Sequence, residues 1–130
     1  MLRCMLKAKI HMATVTDCIL EYEGSISIDE EILEAAGMLP YEQVQISNLD
    51  NGERFTTYII PGERGGRRFM LNGPTARKAV PGDKIIVFSY AWMDEAELSS
   101  AGPRVLIMDE GNSVKEVRDL RREVHDLDEG

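Results

Sequence analysis

Short segments rich in β-branched and aromatic residues recur along this 130-residue chain, separated by turn residues. This pattern predicts strands over residues 2–11, 14–22, 43–48, 54–60, 68–71, 84–90 and 104–108. Asn51-Gly52 predicts a hairpin between the third and fourth segments, because this pair tolerates the positive φ values of a tight turn. Many short strands separated by turns predict a mainly β fold, in the form of a small closed barrel.

One clear helix interrupts the strands. Asp29 or Ser27 can cap it, and Ser27 and Glu30 have the spacing of a capping box. Gly37 is placed to end this helix, because glycine adopts the left-handed conformation that helix ends require. A second short helix is predicted within residues 91–101. The expected helical content is therefore small, with one or two short helices.

The chain changes character after residue 111. Apolar residues recur there at near-helical spacing in a strongly charged background: Val114, Val117, Leu120, Val124 and Leu127. We therefore expect a single β-barrel domain over residues 1–111 and a charged C-terminal helical tail over residues 112–130. The tail is expected either to dock on a neighbouring surface or to fray.

Composition excludes several classes of protein. The net charge of −8 argues against a general nucleic-acid binder, because such binding relies on Lys and Arg neutralising phosphates. The apolar run at residues 85–88 is too short to span a bilayer, so no membrane segment is expected. The first residues are charged too early for a secretory signal. Cys4 and Cys18 lack CxxC spacing, which in this context favours a reduced, cytoplasmic protein.

Two pairs of polar residues are candidates for a site. Lys9 and His11 are two positions apart and point to the same side of their strand. Arg54 and Tyr58 also share one side, whereas Thr57 points to the other, so the strand has to end or bulge near Thr57 if all three serve one site. Each pair is also typical of an ordinary solvated strand face. A lone histidine without ligand partners indicates no metal site.

The dipeptide Gly24-Ser25 lies between an apolar run and the start of the helix. A serine hydroxyl can attack the carbonyl of the preceding residue and convert the amide into an ester, if the backbone geometry is unusual and a donor stabilises the oxyanion. Glycine before the serine supplies conformational range and an unhindered carbonyl. Gly-Ser is also a common turn pair. Asn72-Gly73 is a turn by default, and its Gly73 amide could instead donate to a ligand.

These motifs occur in one order and spacing: Lys9-Ile10-His11, Tyr22-Glu23-Gly24-Ser25, Asn51-Gly52 with Arg54-Phe55-Thr56-Thr57-Tyr58, Glu63-Arg64-Gly65 and Asn72-Gly73. Over roughly residues 1–110 the combination resembles the pyruvoyl-dependent aspartate 1-decarboxylases. The resemblance implies a six-stranded double-psi β-barrel that works as a homotetramer, with sites between neighbouring subunits. It implies a self-processing enzyme that converts L-aspartate to β-alanine and CO2 for pantothenate biosynthesis, without a metal.

The resemblance also implies how the cofactor forms. Ser25 becomes a covalently bound pyruvoyl group after cleavage of the Gly24–Ser25 bond, and Thr57 activates the Gly24 carbonyl or stabilises the ester. The substrate amine then forms a Schiff base with the pyruvoyl group, which acts as the electron sink for loss of CO2.

For the substrate, the resemblance implies that Arg54 binds a carboxylate, where its planar fork suits two oxygens. Lys9 and His11 help to hold and orient the substrate, and Tyr58 supplies the proton to the carbon that loses CO2. The remaining residues of the implied substrate site are Tyr22, Asn72 and Gly73.

Three residues depart from the family pattern. Pro74 and Thr75 stand where the family usually has small alanine-like residues, and Ser47 stands where many members carry a large aromatic. Pro74 removes a backbone donor, and Thr75 adds bulk or a hydroxyl. Two alternatives remain open: an uncleaved, non-catalytic barrel that binds a small anion or a protein partner, and the same chemistry on glutamate. Cleavage is either spontaneous or assisted by a helper protein.

Overall fold

The computed structural model describes residues 1–120 of the chain. Within this part, the strands are β1 (Arg3–Thr14), β2 (Asp17–Ile19), β3 (Ser25–Asp29), β4 (Gln43–Asn48), β5 (Arg54–Gly62), β6 (Phe69–Asn72), β7 (Lys84–Met93), β8 (Arg104–Met108) and β9 (Val114–Asp119). The helices are α1 (Glu30–Ala36), α2 (Glu95–Leu98) and a 3-10 helix, Gly73–Arg77. No helix among residues 1–120 is long and apolar enough to cross a membrane.

The strands form one mixed sheet in the order β2-β6-β3-β5-β4-β7-β1-β8-β9. Three of the pairs are parallel, β1 with β8, β2 with β6 and β3 with β5, and the others are antiparallel. The predicted mainly β fold with two short helices is confirmed. The hydrogen-bonded order runs from β2 to β9 without closing. The predicted closed, six-stranded barrel is therefore not confirmed in the described residues.

The core lies on one side of the central strands. Alternate residues are buried along β4 and the first half of β7, so these strands have one buried face and one more exposed face. The largest fully buried side chains include Phe69, Ile10, Ile26, Ile46 and Ile59. Removing these side chains from water is the main favourable contribution to folding. It also fixes the register of each strand, and so decides which side chains point away from the core and can form a site.

Asp29 organises the start of α1 and the loop that follows β5. Its carboxylate accepts the backbone N–H of Glu31, as an N-cap, and also those of Gly65 and Arg67, at 2.8–3.0 Å. Burial alone would raise the pKa of Asp29, but these three donors outweigh it and hold the pKa below its usual value. Gly37 ends the helix at φ 72°, as predicted. Ser27 lies inside β3 and does not cap the helix.

The predicted helical tail is wrong where the structure describes it. Val114–Asp119 is a strand, β9, which pairs antiparallel with β8. The chain turns back at Asn112, which has φ 61° and is buried, with its side chain bonded to the backbones of Thr14 and Arg67. This anchor brings the following residues alongside β8, whose free edge provides backbone partners. Residues 121–130 of the predicted tail lie outside the described residues.

Candidate active site

Ser25 is the first residue of β3, in the interior of the sheet between β5 and β6. Its side chain is fully buried, although serine is usually exposed. The Ser25 hydroxyl donates to the carbonyl of Glu23 at 3.3 Å, so it is turned back toward the peptide that precedes it. The reactive group of the predicted scissile bond is therefore held by the fold and shielded from water.

Asn72 lies directly opposite Ser25 in the antiparallel pair of β3 and β6. Its side-chain amide donates to the hydroxyls of Ser25 and Ser27, both at 3.1 Å. Its carbonyl oxygen Oδ1 is buried and has no hydrogen-bond partner within residues 1–120. An unpaired buried acceptor costs free energy, so this oxygen is available to a donor from a ligand.

Thr75 lies in the 3-10 helix that begins directly after Asn72. Its hydroxyl lies 3.1 Å from the carbonyl oxygen of Ser25 and 2.8 Å from that of Asn72, and both oxygens are acceptors. Pro74 occupies the first turn of this helix, where the backbone N–H has no partner in the helix, so the missing donor weakens the fold little. The Pro74 ring also packs close to Gly24.

Gly73 allows two backbone segments to approach closely. A Cβ at this position would lie 2.5 Å from the carbonyl oxygen of Tyr22 and 2.8 Å from the nitrogen of Gly24. Its φ of +67° is also in the left-handed region that favours glycine. The position therefore strongly favours glycine, and its packing holds the backbone just before the predicted scissile bond. We call Gly24, Ser25, Asn72, Gly73 and Thr75 the scissile cluster.

Thr57 and Tyr58 lie on β5, which pairs in parallel with β3. The ladder begins with Ile26 opposite Ile59, so Thr57 and Tyr58 come just before it on β5, as Gly24 and Ser25 come just before it on the other chain segment. The Thr57 hydroxyl makes no hydrogen bond to another described residue. The ladder between β4 and β5 runs without a shift, so the bulge that a common site would need near Thr57 is absent there. Thr57 therefore faces away from Arg54 and Tyr58.

Lys9, His11 and Arg54 form a second group, which we call the basic face. The Lys9 ammonium lies 5.6 Å from the ring centroid of Phe88, and the Arg54 guanidinium carbon lies 5.5 Å from it. Arg54 also donates to the Gln45 side chain at 2.9 Å. Two cations over one aromatic ring repel each other, and a bound dianion would relieve that repulsion.

His11 adds a neutral group to the basic face. Burial lowers its pKa below the usual value of 6.5, and the nearby Lys9 charge lowers it further. The ring is therefore neutral near pH 7, with one donor and one acceptor nitrogen. Its Nδ1 is buried without a hydrogen-bond partner in the described part of the chain. His11 is thus suited to orient a polar ligand without adding charge.

The two groups are separated within one chain. No hydrogen bond or ion pair joins the basic face to the scissile cluster among residues 1–120. Lys9 lies on β1, four strands from β3 in the sheet order, and Arg54 lies four residues before Tyr58, about 13 Å along β5 at ~3.3 Å per residue. Tyr22 is 65% exposed, and its backbone carbonyl lies close to Gly73.

A model of the aspartate decarboxylase family matches residues 1–115. The chain belongs to this family. An aspartate 1-decarboxylase of Salinibacter ruber is 54% identical over 116 residues, which cover 89% of this chain and 80% of the relative. An aspartate 1-decarboxylase of Maricaulis maris is 56% identical over 110 residues, 85% of this chain and 91% of the relative. An enzyme of the same name from Ralstonia nicotianae is 49% identical over 118 residues, 91% and 98% of the two chains.

Sequence reasoning missed three residues of this member of the aspartate decarboxylase family. Ser27 and Phe88 were not predicted as site residues, and Thr75 was noted only as a departure from the family pattern. Ser27 alternates with Ser25 and Asp29, which indicates a strand with one polar face, but that alternation also fits a helix cap. The place of Phe88 close to two cations depends on cross-strand register, which the sequence does not contain.

Proposed function

We propose that this chain is a self-processing decarboxylase that converts L-aspartate to β-alanine and CO2 for pantothenate biosynthesis, with a pyruvoyl group formed from Ser25. The observation that carries the proposal is the Gly24–Ser25 pair, in which the fully buried Ser25 hydroxyl accepts from Asn72 and Gly73 packs closely against Gly24, in a chain of the aspartate decarboxylase family. A cytoplasmic location remains a prediction from the sequence.

Self-processing starts from the Ser25 hydroxyl. Its oxygen attacks the Gly24 carbonyl carbon, and the C–N bond breaks to give an ester and a free amine at Ser25. Loss of the Ser25 Cα proton to water and rupture of the Cβ–Oγ bond then release Gly24 as a carboxylate. Water converts the resulting dehydroalanine into the pyruvoyl group, with release of ammonia. Thr57 is proposed to stabilise the oxyanion of the first step, since it comes just before the β3–β5 ladder, as Gly24 does.

The residues around Ser25 fit the pyruvoyl group. Asn72 has an unpaired buried oxygen beside position 25, which suits the N–H of an amine substrate. Once formed, the pyruvoyl group would supply a ketone for the substrate amine and an electron sink for the loss of CO2. Tyr58, the residue before Ile59 in the β3–β5 ladder, is the proposed proton donor to the carbon that loses CO2. Tyr22 and Gly73 would complete the pocket wall on the other side.

Arg54 is proposed to hold the carboxylate that the substrate retains. A strong interaction with the departing carboxylate would stabilise the ground state and slow the reaction. Arg54 is therefore expected to bind the carboxylate that stays on the product. Lys9 and His11 would orient the substrate from the same side. An Arg54→Ala variant is expected to self-cleave normally and to bind aspartate much more weakly. Near-normal apparent affinity for aspartate in that variant would contradict the assignment.

We also propose that sites form between neighbouring subunits of a homotetramer, whose subunits are double-psi barrels. The separation of the basic face from Ser25 within one chain supports this arrangement, and the parallel pairs β1–β8 and β3–β5 support the barrel topology. Coproduction of Ser25→Ala and Arg54→Ala chains tests the shared site. In randomly mixed assemblies about a quarter of the sites should be active. Such a site needs an intact Ser25 from one chain and an intact Arg54 from its neighbour, and each of these is present about half of the time. Mixtures as inactive as either variant would place the whole site in one chain.

Intact mass and a decarboxylation assay test the proposed function. The purified chain should separate into residues 1–24 and residues 25–130, the latter without a free amino group. The Ser25→Ala variant is the matched control and should remain whole. Assays with aspartate and glutamate then distinguish the two substrates. A wild-type chain that stays whole, alone and with cell extract as a source of helper protein, would favour the non-catalytic barrel.

A further inference from the structure

The Thr75 hydroxyl contacts the carbonyl oxygen of the residue that is processed. Thr75 is almost fully buried, and its Oγ lies 3.1 Å from the Ser25 oxygen and 2.8 Å from the Asn72 oxygen. A hydroxyl has one proton to donate, so two acceptors share it. The shorter distance favours Asn72 in the uncleaved chain, and the proton can turn to Ser25 when charge builds up on that carbonyl.

Charge builds up on that carbonyl during self-processing. The ester is eliminated when the Ser25 Cα proton leaves to water and the Cβ–Oγ bond breaks. As the proton leaves, the electron pair on Cα is shared with the Ser25 carbonyl oxygen, which becomes more negative. Hydrogen bonds to a charged oxygen are about twice as strong as those to a neutral one, so a donor at this oxygen stabilises the transition state more than the ground state.

We propose that Thr75 promotes the elimination step of self-processing by donating to the carbonyl oxygen of residue 25. This inference rests on the proposed function, because it assumes that the Gly24–Ser25 bond rearranges to an ester. Thr57 and Thr75 then have separate tasks at two neighbouring carbonyls. Thr57 acts on the Gly24 oxygen while the ester forms, and Thr75 acts on the Ser25 oxygen while the ester is eliminated.

The Thr75 hydroxyl is the only donor of its side chain. Its hydrogen-bond partners within residues 1–120 are the carbonyl oxygens of Ser25 and Asn72. Its position in the 3-10 helix is fixed by Pro74, which presets the first turn, and by the backbone bond from Lys78 to the Thr75 carbonyl at 2.9 Å. The hydroxyl is therefore preorganised, which is the condition for electrostatic stabilisation of a transition state.

Thr75→Ala and Thr75→Ser test this role as a matched pair. The two variants differ by one oxygen atom, and both remove the methyl group. Each uncleaved chain is followed by intact mass, with and without hydroxylamine, a nucleophile that cleaves esters. Hydroxylamine converts the ester into a 25–130 fragment that begins with serine, whereas completed processing gives the same fragment with a pyruvoyl end. Thermal unfolding of both variants, measured in the Ser25→Ala background, checks that each folds.

The expected result is a Thr75→Ala chain that still forms the hydroxylamine-sensitive ester but gains its pyruvoyl end about 10- to 100-fold more slowly, the effect of one hydrogen bond to a charged oxygen. Thr75→Ser should process at nearly the wild-type rate. Wild-type processing in Thr75→Ala, loss of the ester in that variant, or equal slowing of both variants would overturn the inference. A wild-type chain that forms neither ester nor pyruvoyl end would instead overturn the proposed function.

Discussion

Replacing Gly73 with alanine tests whether close backbone packing positions the scissile bond. The new Cβ would lie 2.5 Å from the Tyr22 carbonyl oxygen and 2.8 Å from the Gly24 nitrogen, where ordinary contacts begin at 3.4 Å. The backbone before Ser25 would therefore have to move by close to an ångström. The left-handed φ of +67° adds strain of its own for a residue with a side chain.

The expected magnitude has two parts. Left-handed strain costs ~1–2 kcal/mol for a non-glycine residue. Overpacking against backbone that cannot rotate away costs ~1–3 kcal/mol more. Gly73→Ala should therefore lower the free energy of unfolding by about 2–5 kcal/mol. Self-cleavage should slow by about 100-fold, because a misplacement of about 1 Å commonly reduces a rate by that factor.

Gly37→Ala is the matched control for this experiment. Gly37 has a similar φ of +72°, but a Cβ there would meet nothing within 4 Å. The free energy of unfolding of this variant should fall only by the ~1–2 kcal/mol that the left-handed strain costs, and the chain should cleave at the wild-type rate. Unfolding by urea is measured in the Ser25→Ala background, so that all chains remain covalently whole, and at one protein concentration. If Gly73→Ala matches Gly37→Ala in both stability and cleavage, the close approach does not position the bond.

Two further predictions concern pH. The pKa of Asp29 is lowered in the folded chain, so its contribution to stability is present above the usual value of 3.8 and is lost as the pH falls through the folded-state pKa. Asp29→Asn should therefore cost about 1.5–3 kcal/mol at pH 7 and progressively less in acid, as measured by urea unfolding at several pH values, and a constant difference would refute this. The pKa of His11 is also lowered, so wild-type stability should fall as the pH drops below 6.5 toward the folded-state pKa. His11→Gln should flatten that part of the thermal-unfolding profile, and an unchanged profile would show that His11 is not its source.

The elements that the sequence predicts well are those specified by nearby residues. Strands β4 and β8 have the predicted bounds, and the hairpin between β4 and β5 forms where Asn51-Gly52 predicts it, with Gly52 at φ 74°. The limits of α1 also follow from local chemistry, since Asp29 caps it and Gly37 ends it. At the hairpin turn and at the two ends of α1, a few adjacent residues satisfy the backbone.

The elements that the sequence missed depend on distant partners. Ser25–Asp29 contains two serines and an aspartate, residues typical of turns and caps, yet it is a strand because β5 and β6 flank it and Asn72 satisfies its hydroxyls. Val114 and Val117 fit a helix by spacing, but the buried Asn112 turns the chain onto the edge of β8. Tertiary pairing overrides local preference in both places.

The candidate site shows the same division. Motifs predict the scissile bond and the residues around it, but the sequence gives no sign that two cations lie over the ring of Phe88 or that the Thr75 hydroxyl contacts the Ser25 carbonyl. Both contacts arise where different strands or a strand and a helix meet. Strand alternation also turns Arg54 away from Thr57. The Arg54 side chain instead contacts Gln45 and Phe88. The scissile cluster and the basic face thus lie on different parts of the sheet, and in the proposed homotetramer a neighbouring copy brings them together.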